Sequence, residues 1–89
     1  KALEWGLINR VVEDAELAGE TRKLALDLAN GPTVAMGYIR ELYWESPHNS
    51  FEEQLDLEVR TQKLARVAED HREGVKAFLE KRPAKFTGR

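Results

Sequence analysis

The apolar positions change period along the chain, and those changes divide it into elements. In "GLINRVV", Gly6 to Val12, Leu7, Asn9 and Val11 alternate with Ile8, Arg10 and Val12, bounded by glycine and acidic residues. That alternation predicts a short strand. From about Asp14 the spacing turns helical, with Leu17, Thr21, Leu24 and Leu28 on one face and Ala18 and Ala25 beside them. Asp14 can cap this first helix, and "NGP", Asn30 to Pro32, stops it. Thr33 can cap a second helix with Ala35, Met36, Ile39, Leu42 and Tyr43 at apolar positions, ending before Pro47.

"SFEE", Ser50 to Glu53, has the spacing of a capping box, in which hydroxyl and carboxylate each take the other residue's amide. A long third helix follows, carrying Phe51, Leu55 and Val59 along one line and Leu57, Thr61 and Leu64 along another. Asp70 and Glu73 repeat the spacing and open a fourth helix, with Val75, Phe78 and Leu79 as its apolar stripe. "RPAKFTGR" then leaves as a tail. The fold class is mainly α: a short N-terminal strand followed by about four amphipathic helices.

A lone strand cannot satisfy its own backbone groups and needs a sheet that these residues do not supply. The chain also begins at Lys1 without methionine. Both features fit a piece of a longer chain. Its 89 residues make one domain near the lower edge of self-sufficiency, able to bury about 60–65% of its unfolded surface. With 42% hydrophobic and 34% charged residues, the composition suits amphipathic helices better than disorder.

Charge and residue types narrow the chemistry. A net charge of −2 gives no long-range attraction to nucleic acid or anionic membrane. No apolar run approaches the roughly 18 residues of a membrane span, and no signal-peptide pattern opens the chain. The absence of cysteine excludes disulfides and thiolate sites and is compatible with a reducing compartment. Glu52 and Asp56 lie one turn apart among other acids and read as a solvated face. His48 and His71 have no helical partner at metal-ligand spacing. No serine sits in a glycine-rich elbow.

The basic end is the richest stretch. Lys81, Arg82, Lys85 and Arg89 cluster there, with Phe78 and Phe86 interleaved. Cations at a helix C-terminus are favoured by the macrodipole, which accounts for the first two. The alternative is a ligand with phosphate for the lysines and a purine for Phe78. Trp5, Tyr38, Tyr43 and Trp44 read as core by default. Tyr43 and Trp44 are adjacent, so one of them is expected to point outward to another subunit or domain.

Taken together, "EWGLINRVV", "LALDLANGPTVA", "SFEEQLDLE", "EDHREGVKAFLEKR" and "FTGR" resemble the C-terminal third of the enoyl-CoA hydratase/isomerase (crotonase) superfamily. The resemblance covers essentially all 89 residues, and "EGVKAFLEKR" with Phe86 and Gly88 is its most specific part. It implies that residues 1–13 are the end of a spiral α/β core, its last strand. Residues 14–89 are then a helical oligomerisation region with a tail that lids coenzyme A. The parent is expected to be a cytoplasmic homo-trimer or hexamer acting on an acyl-CoA. It has no tightly bound cofactor, coenzyme A being part of the substrate, and no nucleic-acid or membrane partner. The family's oxyanion-hole amides and catalytic acids belong to the core, so no catalytic residue is assigned here and these residues alone are expected to be inactive. Carried over by position, Phe78 lies against the adenine and Lys81 reaches the phosphates. Pro83 stands one residue earlier than in many members, and Arg66 stands where an aromatic is common. The wording leans toward the phenylacetate-pathway ring-CoA isomerases.

Two other readings stand beside this one. A stand-alone helical interaction or nucleic-acid-binding module would use the basic tail, although no complete helix has a basic face. A purely structural assembly domain would keep the helices and lack the coenzyme contact.

Overall fold

The computed structural model describes residues 1–89 and is helical throughout its regular elements. A 3-10 turn at Asp14–Glu16 leads into α1, Leu17–Ala29. Then come α2, Thr33–Glu45, a second 3-10 turn at Ser46–His48, α3, Phe51–Val67, and α4, Glu69–Leu79.

The expected N-terminal strand is not formed. Residues 1–8 fold into turns: the Trp5 amide donates to the Lys1 carbonyl at 2.9 Å, Gly6 to Leu3 at 3.1 Å and Leu7 to Ala2 at 2.9 Å. Gly6 takes φ 71°, the left-handed conformation that closes such a turn. No second strand is available despite the alternating pattern; the Gly6, Leu7 and Ile8 amides pair back onto Leu3 and Ala2, and residues 9–12 take no regular structure.

The helix limits fall close to those expected, although the caps differ. Glu16 precedes α1 and Pro32 precedes α2, neither with a side-chain cap, so Asp14 and Thr33 do not serve as expected. The box at α3 is complete. The Glu53 amide donates to Ser50 Oγ at 3.2 Å, and the Ser50 amide donates to Glu53 Oε2 at 2.7 Å. Gln54 ties α3 back to α2, its Nε2 donating to the Leu42 carbonyl at 3.2 Å.

Helices α2, α3 and α4 pack in succession, and α1 leans mainly on its own leading turn. Along α3 the inward line is Gln54, Leu57, Thr61 and Ala65. Thr61 is buried and its hydroxyl donates to the Leu57 carbonyl at 2.6 Å. The second line, Phe51, Leu55 and Val59, is exposed. So are both Tyr43 and Trp44, where only one was expected to face outward. The body measures 42 × 39 × 19 Å, a slab rather than a ball.

Candidate functional site

Helix α4 turns its acidic and small residues inward. Asp70 is 3% exposed and Ala77 2%, and Glu73 and Gly74 lie on the same half-buried face. The apolar stripe faces solvent: Phe78 is 82% exposed and Leu79 72%, with Val75 also open. The helix is amphipathic, but its inner face is built for the tail.

The C-terminal tail folds back along α4 instead of leaving the molecule. Asp70 Oδ1 accepts from the Thr87 amide at 2.7 Å, and Oδ2 accepts from the Gly88 amide at 2.8 Å. The Asp70 amide, at the uncapped start of α4, donates in return to the Arg89 carbonyl at 2.9 Å. One of the orphan amides of a helix N-terminus is thus satisfied from the far end of the chain. Phe86 lies over Gly74, where a Cβ would stand 3.5 Å from its ring. Gly88 takes φ 76° beside Thr33 Oγ1, which a Cβ would approach to 2.9 Å. The fourth helix opens at Glu69, as expected, but with no side-chain cap, so Asp70 and Glu73 do not repeat the box of α3. Both carboxylates hold the tail.

At the other end, α4 closes in a Schellman arrangement. The Arg82 amide donates to the Ala77 carbonyl at 3.0 Å, and the Lys81 amide donates to the Phe78 carbonyl at 3.2 Å. The pivot is Lys81, with φ 53°, where glycine is the usual occupant. Phe78 and Lys81, the two residues singled out in the sequence, are thus joined by a backbone hydrogen bond and both exposed. A groove on the outer side of α4 is lined by His71, Arg72, Val75, Lys76, Leu79 and Glu80, and Phe78 and Lys81 stand outside it.

The basic cluster is less uniform than its sequence suggests. Arg82 grips Glu73 with Nη1 and Nη2, at 2.7 and 3.0 Å, and Glu80 with Nε at 2.6 Å. Glu73 also accepts the Lys85 amide at 2.8 Å. The Arg82 hydrogen bonds, and then the Lys85 amide, lower the Glu73 carboxyl to about 2. The same partnership raises the Arg82 guanidinium. Nothing in the sequence marks Glu73 as Arg82's partner, since nine positions separate them and only the reversal of the tail brings them together. His48, His71, Glu52 and Asp56 are exposed.

Residues 1–89 match the family model described as enoyl-CoA hydratase/isomerase. The chain is 45% identical over 89 residues to the 1,2-epoxyphenylacetyl-CoA isomerase of Escherichia coli K12, covering 100% of this chain and 34% of that protein. It is 37% identical to the trans-2-decenoyl-[acyl-carrier-protein] isomerase of Streptococcus mutans UA159, with the same two coverages. A crystal structure of an enoyl-CoA hydratase from Geobacillus kaustophilus HTA426 superposes with a TM-score of 0.89 at 38% identity, over 99% of this chain and 33% of that one. The chain spans about a third of the length of the curated relatives it matches.

Proposed function

Because the chain belongs to the enoyl-CoA hydratase/isomerase family, we propose that it serves as the C-terminal helical part of an acyl-CoA hydratase or isomerase. In this reading residues 1–13 complete the spiral core, and residues 14–89 supply subunit contacts and part of the coenzyme A lid. The oxyanion hole and proton-transferring acids come from the remainder of the protein. The parent assembles as a trimer or a pair of trimers. The 45% identity to an epoxide acyl-CoA isomerase favours isomerisation of a ring-derived acyl-CoA over hydration.

The observation that carries the lid role is the exposed pairing of Phe78 with Lys81 at the end of α4. A solvent-facing aromatic ring and an ammonium three residues apart at one helix end suit a purine and its neighbouring phosphates. A nucleic-acid module is disfavoured by the net charge of −2 and by the use of Arg82 within the fold.

Lys81→Ala in the full-length enzyme tests the lid. Loss of one charge-assisted hydrogen bond is expected to weaken coenzyme A binding about tenfold with the oligomer mass unchanged. An assembly role alone would instead leave affinity intact and change the mass seen by light scattering. The isolated 89 residues are expected to hydrate crotonyl-CoA no faster than buffer does. A rate above buffer would place catalytic groups within this chain.

A further inference from the structure

Arg82 sits beside Lys81 in the sequence and would ordinarily be counted as a second phosphate ligand. Its geometry argues otherwise. Nε donates to Glu80, Nη2 to Glu73, and Nη1 to both Glu73 and the Pro83 carbonyl, the last at 3.1 Å. Four of the five guanidinium N–H groups are therefore spent inside the chain, which leaves no fork with which to grip a phosphate.

What this binds together is the turn around Lys81. A residue with a Cβ enters the left-handed region only where its surroundings hold it there. Glu80 on one side and Arg82 on the other are joined by an ion pair, and Arg82 is anchored nine residues back on Glu73. Glu73 also takes the Lys85 amide, so the chain leaving Lys81 is fixed in direction. An ordinary exposed ion pair contributes little. This one is bidentate, half-shielded and shared with a backbone amide, and it spans the one strained non-glycine residue in the chain.

We propose that Glu73 and Arg82 are positioning residues for coenzyme A recognition: their pair locks the α4 end so that Lys81 and Phe78 are presented together to the nucleotide. This rests on the lid reading above. It adds that the second cation of the "KR" pair acts through the first and does not touch the ligand.

The test uses the full-length enzyme with Arg82→Met, Glu73→Gln, Arg82→Lys and Lys81→Ala, and reads dissociation constants for coenzyme A and for pantetheine. Pantetheine lacks the adenosine and its phosphates, so a general loss of folding would weaken both ligands. Arg82→Met and Glu73→Gln are expected to weaken coenzyme A about 5- to 10-fold and leave pantetheine unchanged. Hydrogen exchange at the Lys85 amide should quicken, and Arg82→Lys should recover part of the affinity. Glu73→Gln keeps the side chain's shape and stands in if Arg82→Met fails to fold. If these two variants leave coenzyme A affinity intact while Lys81→Ala lowers it, the positioning role is wrong and the lid reading survives. If Lys81→Ala changes nothing, the lid reading itself falls, and the positioning role with it.

Discussion

Lys81 adopts φ 53°, where its Cβ crowds the backbone, a conformation that costs about 1–2 kcal/mol for most residues. Glycine would relieve that crowding and strengthen the Schellman turn, but would remove the ammonium. Lys81→Gly is therefore expected to raise stability by about 1 kcal/mol, read from denaturant midpoints, while weakening coenzyme A binding. Opposite movement of the two would show that lysine is retained for recognition and not for capping. Gly88 presents the reverse case, since φ 76° and the nearby Thr33 hydroxyl both exclude a Cβ. Gly88→Ala should lower stability by about 1–2 kcal/mol and speed hydrogen exchange at the Thr87 and Gly88 amides. At Glu73 the carboxyl lies near 2 against an ordinary 4.5, lowered first by the Arg82 hydrogen bonds. A depressed carboxyl stabilises the fold fully above its unfolded value and ceases to do so as pH falls toward 2. The carboxyl carbon resonance of Glu73 should thus titrate near pH 2, and Arg82→Met should return its midpoint toward 4.5.

Among the elements, those written in local spacing were legible. The Ser50–Glu53 box follows from four consecutive residues and is present with both hydrogen bonds. Ser50→Ala should accordingly cost about 1 kcal/mol, measured by chemical denaturation. The helix count, the stop at Asn30 to Pro32 and the end of α2 before Pro47 also needed only neighbours, and the structure has them. What failed depended on partners elsewhere. "GLINRVV" has a strand's pattern, but pairing is a tertiary event; its first three residues close turns onto Ala2 and Leu3, and residues 9–12 take no regular structure. Helix α4 is more instructive: its period was legible, but which side faces inward was not. Val75, Phe78 and Leu79 form the expected apolar stripe, yet the inner face belongs to Asp70, Glu73, Gly74 and Ala77. An acidic inner face is only tolerable if something donates to it, and those donors lie in the tail. Phe78 and Lys81 were singled out through family resemblance to the motif; the Arg82–Glu73 pair beside them could be seen only once the tail had been traced back.

At the scale of the molecule, only Thr61, Asp70 and Ala77 are buried, and two of those are polar. The radius of gyration is 16.6 Å, whereas a compact domain of this length would be about 12 Å. Exposed apolar residues run along every helix: Leu17 and Leu28 on α1, Ile39 on α2, Val59 on α3, Phe78 on α4. Scattered exposed leucines are ordinary, but a chain with almost no interior has left its hydrophobic driving force for others to satisfy. The 34% coverage of its relatives supports the same reading, because a larger body could cover these faces. The isolated 89 residues are therefore expected to keep helical circular dichroism from local propensity and caps while unfolding over a broad range of urea. The slope should fall below about 1 kcal/mol per M, the lower end for small domains, because little surface remains to be exposed. In the full-length protein the same helices should join a single steep transition. A steep, cooperative transition in the isolated piece would mean that these helices find a core among themselves, and the proposal that their apolar faces are covered by other parts of a longer protein would have to be withdrawn.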